Sequence, residues 1–109
     1  MLIRGIGPAL AKFGIKEPLR DPMIRIYDSR GVVVSENDDW WADEDAALIR
    51  NLSAEAGAFA ISTGREAAML VTLTPGPYTA VLADASGTRS GVGLLEIYAI
   101  STDAVSTSR

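Results

Sequence analysis

The feature that most constrains this chain is how glycine and proline cut its apolar residues into short runs. "LIRGI" ends at "GP", "MIRIY" at "DSRG", "EAAMLVTL" at "TPGP" and "YTAVLA" at "DASGTRSG", and "VGLLEIYAI" closes the series. Runs of this length between turn residues read as strands, because a helix needs more residues to bury a continuous face. In "MIRIYD", Ile24 and Ile26 alternate with Arg25 and Tyr27, "SRG" turns the chain, and "VVVS" follows as the hairpin partner. "PGP", with Pro75 and Gly76, is read as turning "EAAMLVTL" back into "YTAVLA". Residues 9–21 are a mixed connection, which Pro18 and Pro22 keep from forming one helix. The expected fold is mainly β, an antiparallel β-sandwich with jelly-roll or immunoglobulin-like layering.

One stretch changes period. Leu48, Ile49, Leu52 and Ala56 fall at helical spacing, Asp43 is placed to cap the first amides, Glu44 and Asp45 suit the positive end of the helix dipole, and Gly57 is placed to stop the helix. A short helix is expected over 44–56. With 109 residues there is room for one two-layer core, expected over 1–100, and the serine- and threonine-rich 101–109 read as a polar tail or linker. Met1 opens directly on a strand without the look of an export signal, so the start is expected to be a cut in a longer chain.

Charge and composition remove several function classes. Ten basic residues are scattered singly through a chain of net charge -4, which leaves no stripe to follow a phosphate backbone, and no nucleic-acid partner is expected. No apolar run is long enough for a membrane span. There is neither cysteine nor histidine, which excludes thiolate metal sites and the commonest general base. No serine has a base to activate it, and the chain is expected not to be an enzyme.

"ENDDWWADED", residues 36–45, gathers six of the fourteen carboxylates around two tryptophans. Asn37, Asp38 and Asp39, with Glu36 and Asp28 as additions, are oxygen donors of the kind calcium takes, and calcium is the one cofactor this loop suggests. Their spacing is not that of an EF-hand, and the competing reading is a turn rich in aspartate and asparagine that bonds its own backbone. Trp40 and Trp41 offer a stacking face for a surface glycan, but neighbours on an extended segment point to opposite sides. One is therefore expected in the core and the other outside. "GIGP" lacks the third glycine and the helix start of a dinucleotide fingerprint, so Gly5 and Gly7 are read as serving positive φ or close backbone approach. Arg4 and Glu96 are lone charges inside apolar strands, and they are expected to meet across neighbouring strands or between the sheets.

The joint order of "LIRGIGPAL", "DPMIRIYDSRG", "NDDW", "GAF", "EAAMLVTLTPGPYTAVL" and "GVGLLEIYAI", over residues 2–100, resembles a β-sandwich repeat of large secreted or surface-exposed bacterial proteins. It is similar in pattern to bacterial pre-peptidase C-terminal domains, which are non-catalytic sandwiches, some of them calcium-binding. The resemblance implies an extracellular or cell-surface accessory module with a structural, spacing or adhesive role. Members of that group carry further strand sequence before the segment matching "LIRGIGP", and "STSR" resembles the point where such sequence begins. A sandwich lacking those strands has an open edge that a neighbouring copy or module of the parent protein would fill. The alternative implied function is a calcium- or carbohydrate-binding module using Asn37 to Trp41.

Overall fold

The computed structural model describes residues 1–42, 45–61 and 65–99. The chain is mainly β. Strands β1 (Leu2–Ile6), β2 (Pro22–Tyr27), β3 (Val33–Asn37), β4 (Ala67–Leu70), β5 (Thr79–Asp84) and β6 (Leu94–Tyr98) form two three-stranded sheets, joined by one α-helix, α1 (Ala46–Glu55), and short 3-10 turns at Pro8–Phe13 and Trp40–Ala42. The first sheet has the order β4-β1-β6 and the second β3-β2-β5, and every pairing between these strands is antiparallel, with one isolated parallel bridge between Pro18 and Val92.

The strand sequences explain these places. β1 is the centre of its sheet and is buried on both faces, which is why its sequence is a nearly unbroken apolar run. Ile3 joins Ile24, Ile26, Ala67 and Met69 in an apolar cluster shared by the two sheets. Leu2, on the opposite face, packs with Trp40, Ile49, Leu52 and Ala68. β2 alternates strictly, with Pro22, Ile24 and Ile26 buried and the residues between them half-buried. Gly5 and Gly7 serve close approach, since neither takes a positive φ. A Cβ on Gly5 would lie 2.8 Å from Leu82 Cδ1 and 2.9 Å from Ile24 Cγ1, and one on Gly7 would run into the Leu19 carbonyl oxygen.

The hairpin expected between β2 and β3 is present. Asp28 Oδ1 accepts the N–H groups of Arg30 at 2.9 Å and Val32 at 3.0 Å, and Gly31 supplies the positive φ of 78°. The second expected hairpin is absent. β4 pairs with β1 and β5 with β2, so Pro75 and Gly76 lie in a connection that carries the chain from one sheet to the other. Turn chemistry records where the chain bends and not which strand it then pairs with.

Helix α1 is shorter than expected. It begins at Ala46, with Asp45 in the cap position making no side-chain cap bond, while Asp43 and Glu44 lie outside the described residues, as does the tail at 101–109. Its end follows the sequence closely. Gly57 takes φ 79°, Gly57 N–H donates to the Ala54 carbonyl at 3.1 Å and Ala58 N–H to the Ser53 carbonyl at 3.0 Å, the double bond pattern of a Schellman cap.

Candidate functional site

The acidic loop is built into the side of the fold where β3 lies beside β4. Asn37 ends β3, and its Oδ1 accepts Ala68 N–H at 3.1 Å. Trp40 N–H donates to the Glu66 carbonyl at 2.9 Å. Ser35 Oγ lies 3.4 Å from Met69 Sδ, tying the same two strands together. These contacts satisfy backbone groups on the free edge of β4 and close the two sheets against each other there. Trp40 is buried in the core, with the Arg50 guanidinium 5.5 Å above its ring, whereas Trp41 is 64% exposed. The tryptophans divide as the alternation argument expects, although they stand on a 3-10 turn and not on a strand.

The oxygens read as calcium donors are scattered. Asn37 Oδ1 is engaged with β4, Asp28 Oδ1 holds the hairpin turn, Glu36 Oε2 lies 3.0 Å from Arg25 Nε on the outer face of the second sheet, and Asp38 is exposed. Among the described residues no group of three or more aspartate, glutamate, histidine or cysteine side chains is gathered for a metal ion.

Arg4 and Glu96 stand directly opposite each other on β1 and β6, with Nε 3.2 Å from Oε1. Arg4 is fully buried, donates from Nη2 to the Phe59 carbonyl at 2.8 Å, and lies 4.9 Å from the Phe59 ring centre. Tyr98 O–H donates to Glu96 Oε2 at 3.0 Å. The ion pair is close but poorly directed, since Arg4 Nε and Glu96 Oε1 make no hydrogen bond among the described residues. This face of the first sheet points away from the second and is covered over Arg4 by α1 and the segment around Phe59, so the Arg4 charge is shut off from water while the Glu96 carboxylate stays partly exposed.

Two further carboxylates have structural tasks that the sequence reading did not assign. Glu66 is fully buried and accepts Gly7 N–H at Oε2, 2.6 Å, and Ala9 N–H at Oε1, 2.7 Å. Pro8 between them has no N–H, so one carboxylate straddles the proline and serves both neighbours. Asp84, at the end of β5, accepts Ser86 N–H at 2.9 Å, Arg89 Nε–H at 3.1 Å and Asp21 N–H at 3.3 Å. The Ser86 side chain above all, with the Ser86 and Asp21 amides and the Arg89 guanidinium, holds the Asp84 carboxyl far below the usual carboxylate range. Asp21 beside it is pushed up, first by burial and then by Asp39 and Asp38.

The two aspartates therefore act on stability with opposite signs. Asp84, whose folded value is depressed, stabilises above the ordinary carboxylate pKa and loses that contribution as the pH falls through and below it. Asp21, whose folded value is raised, opposes folding once it ionises. Asp84→Asn is expected to lower the melting temperature at pH 7, with the gap narrowing toward pH 3. Asp21→Asn is expected to raise it at pH 7 and to lose that gain on acidification, both read from thermal melts across that range.

Beside Asp84 the sheets part. A cleft of about 480 Å³, lined by Leu19, Leu82, Asp84, Arg89, Gly93 and Leu95 among others, opens between β5 and β6. Each of these strands ends its sheet. Around them Val81, Val92, Leu94 and Ile97 are exposed, Ile97 to 54%. No known protein family matches the chain, nor does any curated protein or solved structure.

Proposed function

We propose that the chain is a non-catalytic β-sandwich module of an exported bacterial protein, a structural or adhesive spacer that associates with neighbouring copies through the edges of β5 and β6. One observation carries this reading: the two sides of the fold are finished differently. On the β3 and β4 side, Asn37, Trp40 and Ser35 bond the strands and seal the layers. On the other side β5 and β6 end their sheets around a cleft that is bridged at one end, where residues 17–19 pair with Val92 and the Asp21 carbonyl accepts Ala85 N–H, and that is open along the rest of both strands. Proteins that keep a sheet edge solitary place outward charges on it. β3 carries Glu36, paired with Arg25, in that manner. In β6 the single charge, Glu96, is turned onto Arg4, and in β5 the single charge, Asp84, is buried. What remains along both edges is alanine, valine, leucine, isoleucine, threonine and tyrosine, a surface suited to strand addition from another chain. The bacterial and extracellular part of the reading rests on the sequence resemblance, and the sandwich part on the apolar cluster that the two sheets share.

The test is the mass in solution. Sedimentation velocity is expected to show species heavier than the 11.5 kDa chain, growing with concentration. Val81→Lys with Ile97→Lys, at two exposed positions, is expected to return the protein to monomer with an unchanged circular dichroism spectrum. A wild-type chain that stays monomeric up to millimolar concentration would overturn the reading.

A further inference from the structure

On the opposite face of the first sheet from the β5 and β6 opening's inner surface, a second cavity of about 190 Å³ lies between α1 and the segment that follows it, lined by Trp40, Ile49, Arg50, Ser53, Ala58 and Ile61 among others. It reaches the core, since Trp40 is 5% exposed and Ile49 is fully buried. Its walls are mostly apolar, with half-buried Ala58 in the wall and the exposed Ala54 and Ala60 at the mouth, where larger side chains would close it. The sequence makes this space by a definite device: the Schellman cap at Gly57 turns the chain back beside α1, so that Ala58 to Ile61 return alongside Ser53 and Ala54.

Two polar groups accompany the cavity. Arg50, exposed on α1, has its guanidinium over the Trp40 ring and makes no ion pair among the described residues. Ser53 is 5% exposed, and its hydroxyl has no hydrogen-bond partner among the described residues. A buried hydroxyl left without a partner forfeits its hydration, which a bound acceptor would replace after a rotation about one side-chain bond. The remaining volume limits what can enter. An apolar cavity of about 150 Å³ accommodates a benzene ring. Here there is room for one ring and a short head, and the cation at the wall selects the charge of that head.

We propose that this cavity binds a small monocarboxylate whose apolar body is about one ring in size. The body lies against Trp40, Ile49 and Ile61, and the carboxylate meets Arg50 with the Ser53 hydroxyl as a second donor. This site is separate from the strand edges and does not depend on self-association.

The probe is phenylacetate, titrated into the full chain and followed by amide chemical shifts, with phenylacetamide as a neutral match of the same shape. Saturable shifts confined to α1 and residues 58–61 are expected, with phenylacetate binding about tenfold tighter than the amide, the worth of one charge-assisted hydrogen bond. Arg50→Gln is expected to erase that preference while leaving the weaker, uncharged binding in place, and Arg50→Lys to restore part of it. Ala58→Leu, which fills the space, is expected to abolish both. Because that change sits next to the helix cap, a circular dichroism melt of the variant accompanies it, and Ala54→Leu serves as the second filling variant. Equal binding of acid and amide, shifts that do not saturate, or a preference that survives Arg50→Gln would overturn the proposal. So would shifts centred on the cleft between β5 and β6.

Discussion

Arg4→Met alone is expected to destabilise the fold by about 1–3 kcal/mol, because it leaves the partly exposed Glu96 carboxylate without its cation and the Phe59 carbonyl without its donor. Glu96→Leu alone is expected to cost more, about 3–5 kcal/mol, by stranding a fully buried guanidinium. The double replacement is the informative one. Apolar residues of similar volume remove both charges from a site where desolvation offsets most of their attraction, so the double variant is expected to be more stable than either single variant and within about 2 kcal/mol of the parent. The parent pair is not well satisfied to begin with, since Arg4 Nη1 also has no acceptor among the described residues. The double variant does lose two bonds, from Arg4 Nη2 to the Phe59 carbonyl and from Tyr98 O–H to Glu96, which sets the residual cost. Urea denaturation at neutral pH of all four proteins closes the cycle. Single variants within about 1 kcal/mol of the parent, with no coupling between them, would mean that the pair is a surface contact of the ordinary weak kind.

That pair was legible in the sequence because a lone charge in an apolar strand has few ways to be tolerated, and two such strands were present. The β2–β3 hairpin was legible for a similar reason: alternation in "MIRIY" and turn chemistry at Asp28 and Gly31 agree with each other. The pairing of β4 and β5 was not. "TPGP" bends the chain equally well within a sheet and between sheets, and the choice is made by which apolar faces meet, Ala67 and Met69 against Ile24 and Ile26 from strands distant in sequence. The acidic loop was half legible. Its composition suggests a ligand site, and the burial of one tryptophan follows from geometry, but the bond from Asn37 to Ala68 N–H links residues 31 apart in sequence and leaves no local trace. Asp84 looked like the first residue of a polar loop, and its bonds to Ser86 and Arg89 are local, but nothing near it in sequence says that it would be buried against the Asp21 amide, 63 residues away.

Glu66 was missed for the same reason, yet a signal was present. Gly7-Pro8-Ala9 starts a 3-10 turn at the end of a buried strand, so the amides on both sides of the proline need an acceptor that the turn itself does not supply. A glutamate opening an otherwise apolar strand is a natural candidate, and the fold places its two oxygens 2.6 and 2.7 Å from those amides. Glu66→Ala is expected to cost about 3–5 kcal/mol, since it strands two buried donors at about 1–3 kcal/mol each and also opens a small void. Glu66→Gln is the sharper test. It preserves size and one acceptor oxygen but turns an NH₂ group toward the second backbone N–H, so it is expected to lose most of what alanine loses. A carboxylate acting only as a space-filling side chain would instead tolerate glutamine with little loss. Amide hydrogen exchange separates the two cases: Gly7 and Ala9 are expected to be strongly protected in the parent and to exchange faster in both variants under conditions where the β2 amides remain protected. A total stability of about 5–15 kcal/mol is usual for one domain, so either change removes a large share of it, and the variants should unfold well below the parent's denaturant midpoint.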